Sequence, residues 1–596
     1  MMNRRIDTTS REARVISLKI LSARLGSALC CFLLLWPWPV AADCGGVADS
    51  IHRIKGYAGE AVASGRQVRV EGVVTAAFPG REGINGFWIQ HGPREDARLP
   101  AGIFVYVPEP DDRLDALIRP GQRLRFEARI GVFRGQQQLT RLRDVRDCGE
   151  AGLPRPVVLQ LPPDTPLARL EGLKVRFPQT LTVSGTHQLA RYGSLVLSAD
   201  GRLFRPTNFA GGDAAANRGR RIILDDGSYH SWPSPLPWLD EQGTRRVGST
   251  IEDLIGVLAW AFDNYRIHPL RPPQFTEANP RPPPPPGPAG GAVRLAAFNL
   301  ENYFISLGQR GARSRAGLEQ QRARLVSALK ALDADIVGLV EVENNPAAVA
   351  DLLEYLNRDL PAEGRYRHLK GPQGTGDDAI KVSLIYRPAR VQALGPLQRD
   401  KAGAHLRPPA VGRFRGAAKT GVDSWPGAFA VAVVHSKSKI RCPPAGDIDL
   451  GQGCWNRLRT GQSSALLEFS DELDEPLLVL GDINAYGGED PVAVFTSAGF
   501  VDLIADRVPR ERRYTYVFNG ESGYLDHLLA PAELATRVQQ AGIWHINADE
   551  PWFLAYDGRY PEAARGTVFR GSDHDPVWLD LCLRSDGDCR ASHESL

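Results

Sequence analysis

The sequence has no CxxC pair among its 8 cysteines, and without that spacing thiolate-based zinc binding has no support. After the first 42 residues it lacks any apolar run long enough to span a bilayer, which argues against a membrane-embedded mature chain. Net charge is also scarce, because 72 Lys and Arg stand against 69 Asp and Glu to leave +3. So small a sum neither demands a nucleic-acid partner nor excludes one, since binding depends on where basic groups cluster. With 43% hydrophobic and 24% charged residues, the composition is that of a globular protein, neither disordered nor membrane-like.

The length of 596 residues exceeds what one core serves, so about three or four domains is the starting expectation. At the front, Arg4, Arg5, Arg11, Arg14, Lys19 and Arg24 precede the apolar "LGSALCCFLLLWPWPVAADC". Small Val40 and Ala42 follow it, the pattern of a secretory leader over residues 1–42 cleaved before Asp43. A membrane anchor is the weaker reading, because Pro37 and Pro39 interrupt a short run. Bulky, charged Asp43 argues against a lipoprotein site at Cys44. The expected product is exported, with no membrane partner. Its remaining cysteines are Cys44, Cys148, Cys442, Cys454, Cys582 and Cys589, six residues that allow fifteen pairings. Pairing 44 with 148, 442 with 454 and 582 with 589 keeps each bridge inside one expected domain and is preferred on that ground.

From Gln67, "QVRVEGVVTAAF", "GFWIQ", "GIFVYVP", "QRLRFEARIGVF" and "QQLTRLRDV" alternate apolar and polar residues between Gly and Pro breaks, as short strands do. This all-β unit, residues 43–150, resembles the OB-fold domains of bacterial extracellular nucleases. Residues 151–277 form a second β-rich region whose last strands echo the first unit, and a second divergent barrel is expected there. Phe87, Trp88, Phe104, Tyr106 and Phe133 are available either to stack bases or to fill a barrel, and alternation does not choose. Around "PRPPPPPGPAGG", residues 278–291 read as a stiff polyproline spacer released by its glycines.

Beyond that spacer the pattern changes to buried strands separated by helices: "AVRLAAFN", "DIVGLVEVEN", "IKVSLIYRP", "FAVAVVHSKSK" and "PLLVLGDINAY", with Leu325, Ala328, Leu329 and Leu332 at helical spacing. An α/β domain over 292–585 is expected, followed by a tail, 586–596. Each apolar run ends in polar residues: Asn299, Glu341, His435, then Asp482 and Asn484. A buried strand does not readily hold a carboxylate inside, so these groups are expected to converge at a shared sheet edge. Converging carboxylates repel unless a cation sits among them, and oxygen donors without thiolates suit Mg²⁺, Mn²⁺ or Ca²⁺. Such an ion attracts phosphate and offsets charge growing on phosphoryl oxygens.

Near the end, "FRGSDHDPVWL" crowds Ser572, Asp573, His574 and Asp575 before a strand. Alone, an Asp-His pair is more often a loop hydrogen bond than a catalytic unit. In order, however, "FNLENYF", "DIVGLVEVEN", "VVHSKSK", "LGDINAYGGEDPV", "GYLDHLLA" and "GSDHDPV" resemble the endonuclease/exonuclease/phosphatase superfamily, over residues 293 to 584. That resemblance implies a four-layer α/β/β/α sandwich of two packed mixed sheets, preceded by the OB-like β region. It implies that Asn299, Glu341 and Asp573 hold the metal, with Glu301 as a further acidic ligand or a surface acid. Asp482 and Asn484 would position the attacking water and the phosphate. His574 would contact the scissile phosphate, with Asp526 orienting its imidazole and raising its pKa. His435 matches a second phosphate-side histidine and is a candidate general acid, with Asp378 of "GTGDDAIKV" as its chosen acidic partner. Asp575 is expected to cap the local turn. Arg387 reads as a phosphate contact or a salt bridge, and Lys437 and Lys439 as backbone-tracking cations or a solvated loop. Val434 stands where the resemblance leads one to expect Asn, and "RPPAVGRF" lacks the usual Gln.

The function expected is an exported, divalent-metal-dependent phosphodiesterase that cleaves nucleic acid as an endonuclease, on DNA, with RNA left open. A phosphatase or phospholipid phosphodiesterase on the same scaffold is the alternative within catalysis. A non-catalytic nucleic-acid-binding protein is the alternative outside it, and the intact Asp482, Asn484 and His574 argue against that.

Overall fold

The computed structural model describes residues 44–57, 61–80, 82–91, 100–371, 375–400, 403–417, 427–560, 564–585, 587 and 589. The expected leader with its cleavage point before Asp43, and nearly all of the tail from 586, lie outside these residues. Strands Gln67–Phe78, Gly86–His91, Ala101–Tyr106, Gln136–Glu150 and Gln122–Phe133 pair in that order into a closed five-stranded barrel. Period-two alternation drives the closure: Val68, Val70 and Val74 turn inward onto Phe87, Ile89, Ile103 and Phe126. A disulfide between Cys44 and Cys148 ties the entering segment to the last barrel strand.

Residues 157–276 do not close into the second barrel expected from their echo of the first. Nine strands form one open sheet whose edges are Val157–Val158 and Phe275–Thr276. Within it Arg221–Leu224 pairs in parallel with Asn264–Pro269. Trp88 and Phe104 do not fill the barrel; they are buried and pack with Val257 and Ala259 where barrel and sheet meet. Phe87 is a barrel-core residue, whereas Tyr106 and Phe133 remain exposed.

Two six-stranded sheets make up the C-terminal half. In the first, Ala292–Tyr303 lies between Ile336–Glu343, parallel to it, and Val577–Cys582, antiparallel to it. In the second, Phe429–His435 and Leu477–Asp482 run parallel at the centre, flanked by Ala410–Gly416 and Asp526–Pro531. Central strands buried on both faces explain the unbroken apolar runs. One face of each sheet contributes to a shared core that includes Leu295, Val340, Val431 and Leu480. The opposite face of the first sheet packs on helices Arg315–Leu332 and Pro346–Asn357, and that of the second on Asn456–Ser470 and Asp490–Ser497. Ser314 caps the first helix by accepting from the amide of Gly317, and Asn345 caps the next ahead of its first-turn proline. Disulfides Cys442–Cys454 and Cys582–Cys589 complete the preferred set. Among the described residues no helix is long and apolar enough to cross a membrane.

The front of the chain is built into this half. Leu203–Phe204 pairs in parallel with Glu521–Gly523, and with Tyr516–Phe518 they make a three-stranded sheet. At the tip of that hairpin Gly185 lies against Gly520, so close that a Cβ on Gly185 would stand 2.8 Å from the Gly520 Cα. Nearby, the fully buried acids Asp549 and Glu550 receive Arg202, Arg246 and Arg281. Thr244, Asn279 and Tyr514 donate further hydrogen bonds to the same two carboxylates. Through Arg281, and through Pro286, whose carbonyl accepts from Arg294, the proline-rich segment is anchored along its length rather than left as a free spacer.

Removing one cation from such a cluster strands a buried charge. Arg246→Ala is expected to cost about 3–5 kcal/mol, read as a lower denaturant midpoint in equilibrium unfolding. A loss below about 1 kcal/mol would show that the cluster is not holding the halves together.

Candidate active site

Regular pairing of Ala292–Tyr303 with its neighbour ends at Asn299, opposite Val340. Glu301 and Asn302 then take φ of 50° and 58°, and across the pair Glu341 takes 61° where its strand slips register between Leu339 and Val342. Left-handed backbone at non-glycine positions is costly and gathers at functional sites. Here the two bulges bring Glu301 and Glu341 into electrostatic reach of each other and of Asp573. Glu341 accepts from the amide of Asn302 at 3.0 Å, while Glu301 Oε2 is buried without a hydrogen-bond partner.

In the second sheet His435, Asp482 and Asp526 lie side by side in register. Asp482 accepts from the amide of Asn484 at 2.7 Å and from the side chains of Asn299 at 3.3 Å and Asn484 at 3.2 Å. The Asn299 bond joins the two sheets at their open ends. Asp526 pairs with His574 Nδ1 at 2.7 Å and accepts from the Thr515 hydroxyl at 2.7 Å. The ring of Tyr516 stacks on His574, centroids 4.8 Å apart.

The loop carrying Asp573 and His574 is held from behind. Asn547 donates to the His574 carbonyl at 2.6 Å and accepts from the amides of Gly571 and Ser572. The Ser572 hydroxyl donates to the Asn299 carbonyl at 2.6 Å, stitching the loop to the first sheet. Asp575 does not cap its own turn: it accepts from the amides of Asn547 and Ala548 and pairs with His545, because the 545–548 loop presents those donors to it.

Charge divides the site in two. Burial, then Asp573 and Glu341, push the Glu301 carboxyl up to about 8, with Arg570 opposing. Glu341 is raised by burial and by Asp573. Burial and Asp526 push Asp482 up to about 7 against the pull of His574. For His574, burial opposes the charge, but Asp526, Asp573 and Asp482 together outweigh it and hold the ring well above the usual histidine range. His435 is the reverse: burial, Arg407 and His574 hold it well below that range, and its Nδ1 has no partner. Glu341 and Asp482 lie 3.8 and 3.5 Å from its Nε2, too far to hydrogen-bond well.

Asp378 is a correction. Its carboxylate goes to Arg407 at 2.8 Å and Arg310 at 2.9 Å rather than to His435, because Arg407 stands between them and also donates to the carbonyls of His435 and Ser436. Arg387 pairs with Asp333 at 2.6 Å, away from the site. Lys439 is bound to Glu489, while Lys437 lies over the Trp455 ring. Sequence reasoning passed over Arg407, Thr515, Tyr516, Asn547 and Arg570. Arg407 was within sight in "RPPAVGRF", and the Asn519-Gly520 turn marked the hairpin that carries Tyr516. Nothing local distinguishes Asn547.

Asn299, Glu301, Glu341 and Asp573 are the residues that could hold a cation. Among the described residues no three His, Cys, Asp or Glu side chains form a ready-made metal group. The donor chemistry nevertheless fits a hard divalent ion: the ligands are oxygen, Asp573 raises the carboxyls of both Glu301 and Glu341, and one Glu301 oxygen is buried without a hydrogen-bond partner.

Two packed α/β sheets whose polar strand ends meet at one edge define an α/β-sandwich half of the chain. Residues 296–574 match the Endonuclease/Exonuclease/phosphatase family. An endonuclease/exonuclease/phosphatase family protein of Bacteroides thetaiotaomicron is 18% identical, covering 49% of this chain and 97% of its own, with a TM-score of 0.34. The mannosyl-6-phosphatase Bt3783 of the same organism is 16% identical, covering 48% and 99%, with a TM-score of 0.32. D. rerio TDP2 complexed with single strand DNA product is 17% identical, covering 48% and 98%, with a TM-score of 0.32. No curated protein matches the chain.

Asn547→Ala leaves a buried carbonyl and two amides without partners. The expected loss is about 1–3 kcal/mol, with faster amide hydrogen exchange across 571–574 than in the two sheets. Unchanged exchange there would mean that the loop is fixed by other contacts.

Proposed function

We propose that this protein is an exported, divalent-metal-dependent phosphodiesterase that cleaves nucleic acid internally, chiefly DNA. The observation that carries this reading is the division of charge: an acid cluster on one side faces a cationic His574, held by Asp526, across one opening. A phosphodiester carries charge and ester oxygens that both halves can engage. The depression leading away from Asp573 past Arg570, Tyr516 and Phe518 has a cation and aromatic rings, which suits a polynucleotide better than a small phosphomonoester.

His574 donates from Nε2 to a phosphoryl oxygen, its other nitrogen being fixed on Asp526. Asp482, whose carboxyl burial pushes up to about 7, accepts the proton of an attacking water oriented by Asn484. His435 is kept neutral beside them and serves as a hydrogen-bonding group on the phosphate. A divalent cation held by Asn299, Glu301, Glu341 and Asp573 supplies Lewis-acid stabilisation of the phosphoryl charge when bound. Three disulfides agree with an oxidising compartment.

The test is nicking of supercoiled plasmid with Mg²⁺, Mn²⁺ or Ca²⁺. Activity is expected with at least one metal, to vanish in EDTA, and to fall by about 10²–10⁴-fold in His574→Ala or Asp482→Asn. No nicking with any of the three metals removes the endonuclease claim, and phosphate release from a monoester in its place selects the phosphatase alternative. A fully active His574→Ala variant contradicts the site assignment.

A further inference from the structure

Away from the catalytic edge, the barrel, the nine-stranded sheet and the tip of the hairpin at Asn519 and Gly520 enclose a cavity of about 390 Å³, a size that suits a small ligand. Its walls are aromatic. Trp88 and Phe104 form the floor, Trp260 is half-buried, and Tyr192, Tyr229 and Phe262 stand exposed at the rim. Exposed rings around a concavity are platforms for planar ligands.

The polar groups in these walls are unfinished. Trp88 Nε1 and His268 Nδ1 are buried without hydrogen-bond partners, which natural interiors rarely leave unexplained. The charges do not cancel either. Arg266 is matched by Asp225, but the side chain of Arg221, on the wall strand Arg221–Leu224, makes no ion pair or hydrogen bond among the described residues, and its Nε is buried and orphaned. Glu521 is the one anion acting on it, and that carboxylate is already taken by Arg205 at 3.2 Å and Asn217 at 2.8 Å. An occupant should therefore bring a planar ring, hydrogen-bonding edges and negative charge. A purely apolar ligand leaves the guanidinium and both buried N–H-bearing rings unsatisfied, and a bare anion leaves the aromatic walls wet.

The cavity also borders the candidate catalytic edge. A second depression, lined by Asp573, Arg570 and Tyr516, shares Gly185, His187, Asn519 and Gly520 with it. The hairpin that stacks Tyr516 on His574 thus forms a wall common to both.

We infer that this cavity binds a nucleotide unit, its base among the aromatic walls and its phosphate on Arg221. The inference rests on the reading of the C-terminal half as a nuclease and names a subsite for that substrate class outside the reacting centre. The unit comes either from a flanking residue of the bound strand or from a released mononucleotide.

Calorimetric titration of the full chain in EDTA, where no turnover occurs, tests it with deoxyadenosine 5′-monophosphate, deoxyadenosine and inorganic phosphate. The nucleotide is expected to bind more tightly than either part. Arg221→Gln is expected to weaken it by about tenfold and leave deoxyadenosine unchanged, whereas Trp260→Ala weakens both. Displacement of the nucleotide by a short single-stranded oligonucleotide assigns the site to the strand, and absence of displacement assigns it to free nucleotide. No binding of the nucleotide, phosphate binding as tightly, or an Arg221→Gln variant of wild-type affinity overturns the inference. Hydrolysis of bis(4-nitrophenyl) phosphate with metal should be unchanged in Arg221→Gln; its loss would place Arg221 in the reaction instead. A nucleotide that binds to a chain unable to nick plasmid sinks the proposed activity and leaves this site standing.

Discussion

Two carboxylates with almost no water, Asp549 and Glu550, and the arginines brought to them from the front of the chain hold the molecule in its working shape. Burial alone would push both acids up, yet Arg202, Arg246 and Arg281 with their hydrogen bonds hold them below the usual carboxylate range. Those cations belong to the open sheet and the proline-rich segment, while the acids end the loop that begins at His545. That loop contains Asn547, and Asn547 holds the backbone of His574. Residues more than three hundred positions earlier in the chain thereby reach the reacting edge, with Arg246 and Glu550 separated by 304 positions. The front half is a buttress of the site as well as a neighbour of it.

The same side-chain types serve an opposite end at the open edge where the two sheets meet. Around Asp549 every acid is answered by a cation, which gives a fixed structure. Around Glu301, Glu341 and Asp573 the acids outnumber the guanidiniums that act on them, Arg570 and Arg407, so the carboxyls of Glu301 and Glu341 are raised and one Glu301 oxygen stays orphaned. Left-handed backbone at Glu301, Asn302, Glu341 and Asn484 stores further strain in the same place. Neither feature stabilises the fold. Both are sustainable because two packed sheets and the Asp482–Asn299 bond hold the surrounding backbone.

Much of this was legible before any coordinates. Polar residues ending apolar strands marked Asn299, Glu341, His435 and Asp482, since a sheet buried on both faces can release such groups only at its edge. The Asp526 and His574 pair followed from the motifs taken together. Asp378 misled because its position before a strand suggested a neighbour for His435, and nothing in the linear order revealed that Arg407 would stand between them. Phe87, Trp88 and Phe104 looked alike as alternating aromatics. The barrel interior took the first, and the junction with the next sheet took the other two.

The sequence by itself determined the strands, the helices with their caps, and which residue types would meet at the open edge, because periodicity, capping and burial cost act over a few neighbouring residues. Tertiary structure alone decided that residues 157–276 stay open, that the two bulges turn acids toward one another, and that arginines from the front half clamp the loop behind His574. Those outcomes depend on which distant surfaces come into contact, and a buried charge finds its partner only after the chain has folded around it.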